Sequence, residues 1–263
     1  MRVIDFHTHV YPPKIAEKAT ASTCAFYDLM KSTLVGTTDV LLQRGRQAGI
    51  SEFVLLPVAT KAEQVHHINE FIAQEIGLHR EFYGFGTLHA AMENPLPEIE
   101  YIRSAGLKGV KLHPDIQRFP IDDERLFPVY DRLQGELPVL IHCGDPRYPY
   151  SRPERLRRII DEFPHLQIVA AHLGGWSMFD TAYEYLKDTD CYFDISSSGM
   201  FMTQEKMKSF VSGYGADRLL FGSDFPLCDP QSELESFLRL GLREVDQEKI
   251  AFRNALHILK ADG

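Results

Sequence analysis

Two histidines one residue apart, His7 and His9, close the short apolar run Arg2-Val3-Ile4-Asp5-Phe6. On an extended strand, residues i and i+2 point to the same face, so both imidazoles project side by side. Two neutral imidazoles converging at a strand end can grip a metal ion. An ordinary buried strand carrying two incidental histidines is the competing explanation, and the rest of the chain decides between them. Of eleven histidines, His7, His9, His89, His113, His142 and His172 fall at or just past the ends of apolar, β-rich runs. With Asp224, the residues His7, His9, His142 and His172 mark the ends of the first, fifth, sixth and eighth runs, from which they can converge on one axial site. That nitrogen-and-oxygen donor set suits Zn2+, with Mn2+, Fe2+ or Co2+ as substitutes.

The stretch Gly144–Pro153 after the fifth run mixes arginine with tyrosine. Arg147 is a candidate bidentate clamp for a substrate carboxylate, with Tyr148 beside it, although loop arginines more often face solvent. Pro146, Pro149 and Pro153 limit the freedom of that loop. Gly174-Gly175 permits a tight turn after His172, and Trp176 either walls the pocket or packs elsewhere. Ser196, Ser197 and Ser198 end the seventh run, but no GxSxG elbow is present, so a serine nucleophile is not expected.

The elements that must position these groups are legible as eight runs: Arg2–His7, Glu52–Ala59, Phe82–Leu88, Leu107–Leu112, Pro138–His142, Gln167–His172, Cys191–Ile195 and Arg218–Phe221. Several are nearly continuous in Val, Ile, Leu and Phe, as strands buried on both faces are. Helical periodicity fills intervals between them. Gln64–His79 aligns Val65, Ile68, Phe71, Ile72 and Ile76; Asp123–Gly135 and Arg152–Phe163 carry similar stripes. Gln231–Gly241 and Asp246–Lys260 follow as closing helices, and Gly49, Gly77, Gly106 and Gly135 stand where helix C-termini favour glycine. This alternation predicts a single (β/α)8 TIM barrel over residues 1–263, with its chemistry at the C-terminal ends of the strands. A doubly wound open sheet is the alternative, but no GxGxxG follows the first run. The stretch 19–38 exceeds an ordinary loop and is expected to form a lid or a homodimer contact.

Composition restricts the partners. The 263 residues are 44% hydrophobic and 25% charged, with a net charge of −9 and a pI near 5.7. Nucleic acid and anionic membranes call for a basic stripe, so neither is expected, whereas a small anionic substrate needs only a local positive site. Cys24, Cys143, Cys191 and Cys228 show no CxxC spacing and read as reduced thiols. The N-terminus resembles no signal peptide and no apolar run reaches the ~20 residues of a membrane span, so a cytoplasmic protein acting on a small molecule is expected.

The ordered set DFHTH (5–9), GVKLHP (109–114), VLIHCG (139–144), IVAAHLGG (168–175), YFDISS (192–197), LFGSDFP (220–226) and NALHIL (254–259) resembles the metal-dependent amidohydrolase superfamily, in particular its aminocarboxymuconate-semialdehyde decarboxylase-like branch. The resemblance implies that His7, His9, His142 and Asp224 hold the metal. It makes His172 either a catalytic acid/base or a ligand of a second metal. Lys111 matches a position that is a carboxylated bridging lysine in two-metal members and does not bridge in single-metal members. His113 and His89 fit supporting roles, and His113 joins Arg147 and Tyr148 as a substrate-facing candidate. A metal with an open position brings the pKa of bound water near 7, and Asp224 can take that proton and pass it to a leaving group. His172 can stabilise charge developing on a substrate oxygen. The function expected first is hydrolysis of a small amide, ester or lactone. The alternative is decarboxylation or hydration of an unsaturated or aromatic carboxylic acid.

Overall fold

The computed structural model describes residues 1–29 and 32–261. Eight parallel strands form the frame: β1 Ile4–Thr8, β2 Glu52–Leu55, β3 Phe82–Gly84 continuing as Gly86–Thr87, β4 Val110–Leu112, β5 Val139–Ile141, β6 Ile168–Ala170, β7 Tyr192–Asp194 and β8 Leu219–Leu220. β3 breaks at Phe85: its first half pairs with β2 and its second half with β4. Backbone bonds from Phe6 to Phe221 and from His9 to Phe225 join β1 to the segment after β8, so the sheet closes into a (β/α)8 barrel. Most strands are shorter than the apolar runs suggest; Glu52–Ala59, Pro138–His142 and Gln167–His172, for instance, continue past the last ladder bond into the loop that follows.

Alternation sorts the strand side chains into two layers. Ile4, Phe6, Val54, Leu56, Phe85, Leu140, Val169 and Leu220 fill the barrel interior, where Phe6 and Phe85 meet edge to face at 5.8 Å. Ala255, Ile258 and Leu259 join them. Phe53, Leu55, Val110, Leu112, Val139, Ile141, Phe193 and Leu219 face the surrounding helices. On β4 and β5 the interior parity carries directly to Lys111 and His142. On β1 it does not: with Ile4 and Phe6 inside, His7 would face outwards. A one-residue bulge between Asp5 and Thr8, where β1 spans three residues against two on β2, resets the parity and re-aims His7.

Besides the short helical turn Pro114–Gln117, the helices are α1 Pro13–Phe26, α2 Thr38–Ala48, α3 Val65–Leu78, α4 Leu96–Ser104, α5 Phe127–Leu133, α6 Pro153–Glu162, α7 Phe179–Leu186, α8 Gln204–Tyr214, α9 Pro230–Leu238, α10 Glu244–Glu248 and α11 Asn254–Leu259, the last two joined by a π-helical stretch. Gly49, Gly106 and Gly135 adopt the left-handed conformation at helix ends. Gly77 instead lies within α3, which runs on to Leu78. Of the stretch 19–38, the first part is the C-terminal half of α1 and the last residue opens α2; residues 30 and 31 lie outside the described residues. Among the described residues no helix is long and apolar enough to cross a membrane.

Candidate metal centre and its cavity

His7 and His9 are each held from behind. The His7 Nδ1–H donates to Asp194 Oδ2 at 2.9 Å, and the His9 Nδ1–H donates to the Leu56 carbonyl at 2.6 Å. Both Nε2 atoms therefore carry bare lone pairs, and they stand 3.2 Å apart. Asp224 Oδ1 lies 3.7 Å from the first and 3.4 Å from the second. Three lone-pair donors converging in this way repel one another unless a cation lies among them. Two nitrogens on a tetrahedral zinc, at ~2.0–2.1 Å each, stand about 3.3 Å apart, so the spacing fits. The second shell fits as well, since metal-bound histidines characteristically donate their other N–H to a carboxylate or carbonyl.

Four backbone features shape the site. The bulge aims His7, and Gly222 leaves it room: a Cβ there would stand 2.8 Å from the His7 Cβ. Asp224 sits in the left-handed region, φ 66°, and its N–H donates to the His7 carbonyl, which ties the segment after β8 to β1. His172 is also left-handed, φ 56°, and leaves β6 by turning back over the barrel mouth. Its Nδ1–H donates to the Ser196 carbonyl at 3.0 Å, leaving Nε2 to face His142 Nδ1 at 3.1 Å.

His142 is placed in the same cavity but beside His172, outside the close group of His7, His9 and Asp224. It stacks on His113 at 4.0 Å, and its Nε2 is buried without a hydrogen-bond partner, 3.7 Å from Asp115 Oδ2. Lys111 is fully buried, with Nζ 3.4 Å from His7 Nε2. His7, His172 and Asp194 form a second close group. His113 faces the cavity. His89 does not: its Nδ1 accepts the Ala91 N–H and anchors its loop.

Burial, reinforced by Lys111, pushes His7 down to about 3, and burial drives His113 and His142 well below the ordinary imidazole value. These rings are neutral at physiological pH, as ligands must be. For Asp224, burial alone would raise the pKa, but the His9 hydrogen bond and the neighbouring imidazoles of His7 and His172 outweigh it and hold the carboxyl down to about 2. Asp194 is held below the carboxylate range by the same contest, burial losing to His7 and His172. Burial lowers Lys111 to about 8 against the pull of Asp194 and Asp224.

Arg147, the candidate carboxylate clamp, is engaged by carboxylates of the chain itself. Its Nε and Nη2 donate to Asp145 at 2.9 and 2.7 Å, and its Nη1 donates to Asp28 at 2.5 Å. Neither it nor Tyr148 lines the cavity. Arg147 instead ties the loop after β5 to the end of α1, where Phe26 stacks on Tyr148 at 5.1 Å. Trp176 packs behind Tyr27, ring centres 4.8 Å apart.

Sequence reasoning missed Tyr27, Asp115 and the supporting role of Asp194. Tyr27 enters the cavity from the end of α1, its Oη 2.6 Å from His113 Nε2 and 3.4 Å from His142 Nδ1. His113 Nδ1 accepts the Ile116 N–H, so its proton is on Nε2 and donates to Tyr27. The Tyr27 O–H is then left to point elsewhere in the cavity. Asp194 lay within the YFDISS motif and had a readable signal; Tyr27 had none.

The barrel and the donors gathered at its mouth define an enzyme of the metal-dependent (β/α)8 class. The family model for amidohydrolases matches residues 4–260, and the chain belongs to that family. The gamma-resorcylate decarboxylase of a Polaromonas species is 28% identical over 120 residues, 39% of this chain and 36% of that protein. The chain thus spans little more than a third of the length of the curated relatives it matches. Among solved structures, a dihydroxybenzoic acid decarboxylase from Polaromonas sp., determined with manganese and the inhibitor 2-nitroresorcinol, superposes with a TM-score of 0.76 at 17% identity, covering 100% of this chain and 98% of that one. A Pseudomonas putida protein assigned as a 2-pyrone-4,6-dicarboxylic acid hydrolase gives 0.70, also at 17% identity and the same coverage. At such identities the likeness establishes the fold.

Proposed function

We propose that the protein is a divalent-metal-dependent decarboxylase of a small aromatic carboxylic acid. The observation that carries this reading is the similarity to gamma-resorcylate decarboxylases, joined to a donor set suited to one metal. His7, His9 and Asp224 would hold that metal, and His142, in the same cavity, would be a further candidate ligand; Zn2+ suits the donors, and Mn2+ is the alternative. When bound, the metal supplies the positive charge that attracts and orients the substrate's carboxylate and a neighbouring oxygen.

The chain's own groups account for the protons. Loss of carbon dioxide from a ring carbon leaves an electron pair on it, so that carbon must gain one proton. Asp224, ionised at neutral pH, can take a proton from a substrate hydroxyl and deliver it to the ring carbon. His172 Nε2, an acceptor 3.1 Å from His142 Nδ1, can exchange that partner for a hydrogen bond from the substrate. The Tyr27 O–H can donate to a carboxylate oxygen.

Hydrolysis is the second reading, supported by the Pseudomonas putida neighbour and by the same proton-accepting Asp224. Incubating metal-loaded protein with 2,6-dihydroxybenzoate and other hydroxybenzoates, and measuring carbon dioxide and the phenol formed, separates the two. Release of both is expected. Opening of 2-pyrone-4,6-dicarboxylate with no carbon dioxide from any acid would replace decarboxylation by hydrolysis.

A further inference from the structure

The histidine-lined floor is one end of a cavity of about 870 Å³ that continues outward between α1 and α3. Sites for drug-sized ligands span about 300–1,000 Å³, so a single-ring acid at the floor leaves most of this volume unfilled. The outer walls differ from the floor in chemistry. On α1 the stripe buried against the protein is Ala16, Thr20 and Cys24, yet Ile15 and Ala19 face the cavity from a second stripe. On α3 the buried stripe is Val65, Asn69 and Ile72, while Ile68 and Phe71 form a half-buried second stripe on the cavity wall. Ile15 is 52% exposed, uncommon for a large apolar side chain beside a catalytic mouth. Charges at the rim have both signs, Lys18 and Glu63, and give no preference for an ionic end group.

We infer that the space between α1 and α3 is a binding subsite for an uncharged alkyl or aryl extension of the substrate, lying beyond the acidic head group at the metal. The continuity of this wall with the reactive floor makes the substrate its occupant. The inference rests on the decarboxylase reading for the head group alone.

Titration calorimetry of the metal-loaded protein with benzoate, 4-butylbenzoate and 4-heptylbenzoate tests it. The butyl acid binds at least tenfold tighter than benzoate, and the heptyl acid tighter still, since each buried methylene adds affinity. Ile68→Glu reduces the butyl gain to less than threefold. Ile15→Glu, at a more exposed position that threatens folding less, does the same. Equal Kd at every chain length, or a gain that survives both variants, overturns the inference. So does a length-independent Kd accompanied by dimer dissociation in Ile15→Glu, which would make the wall a contact between two copies. Carbon dioxide measured with the same acids reports separately on the reaction. Length-dependent binding without its release keeps the subsite and removes the decarboxylase; its release with a flat Kd does the reverse.

Discussion

At the scale of single residues, the site is governed by where protons reside on imidazoles. Asp194 and the Leu56 carbonyl hold the Nδ1 protons of His7 and His9, and this makes both Nε2 atoms ligands. Replacing Asp194 by Asn weakens that control, because an amide can also present N–H to His7. We expect metal affinity, measured by competition with a chelator, to fall about 10–100-fold. Asp224→Asn tests the proton carrier. Asn tolerates the left-handed backbone at φ 66°, so the fold survives and thermal unfolding, compared without metal, stays close to that of the parent. Turnover should drop by about 10²–10⁴-fold, and unchanged turnover would remove Asp224 from the reaction.

At the scale of elements, strand order and strand ends were legible because a doubly buried strand is a dense apolar run and the catalytic groups follow it directly. DFHTH, VLIHCG and LFGSDFP each mark such an end. Helix α1 was not legible: its buried stripe, Ala16, Thr20 and Cys24, is small and weakly apolar, so periodicity had little contrast. With α1 unread, Tyr27 could not be placed. The ion pairing of Arg147 was only partly legible: Asp145 lies two residues before it, but Asp28 reaches it only through tertiary structure. Helix α2 shows how packing overrides local preference. Ala at an ordinary helical glycine gains about 1 kcal/mol. At Gly45, however, a Cβ would stand 2.1 Å from the Phe53 ring, in the layer between β2 and α2. Gly45→Ala should therefore destabilise, by roughly 1–2 kcal/mol once the overpacking cost is set against the helical gain. Chemical denaturation reads the sign directly.

At the scale of the whole molecule, stability depends on metal and on pH. A metal that binds only the folded chain stabilises it by about 2.7 kcal/mol at a hundred times its Kd. Chelation should lower the unfolding midpoint by several degrees, and restoring the metal should recover it. Glu233, on α9, is raised to about 8 by burial, with Asp224 and Asp5 adding to the shift. Its folded pKa lies above the unfolded value, so the stability it contributes is fully present below about pH 4.5 and lost as pH rises through 8. Glu233→Gln should accordingly leave the unfolding midpoint little changed near pH 4.5 and raise it increasingly up to pH 9. A constant difference across that range would refute the assignment.

The extra residue in β1 has a consequence for anyone who would move this centre into another barrel. Parity along a strand is binary, so the same residues laid out as a regular ladder, with Ile4 and Phe6 still inside, would turn both imidazoles out towards the helices without altering a single ligand. A graft of the run from Ile4 to His9 onto a regular strand would inherit the letters of the motif and the wrong face. The transferable unit is the counting error together with the histidines: a misaligned ladder step, copied faithfully, is what turns two side chains into a chelate.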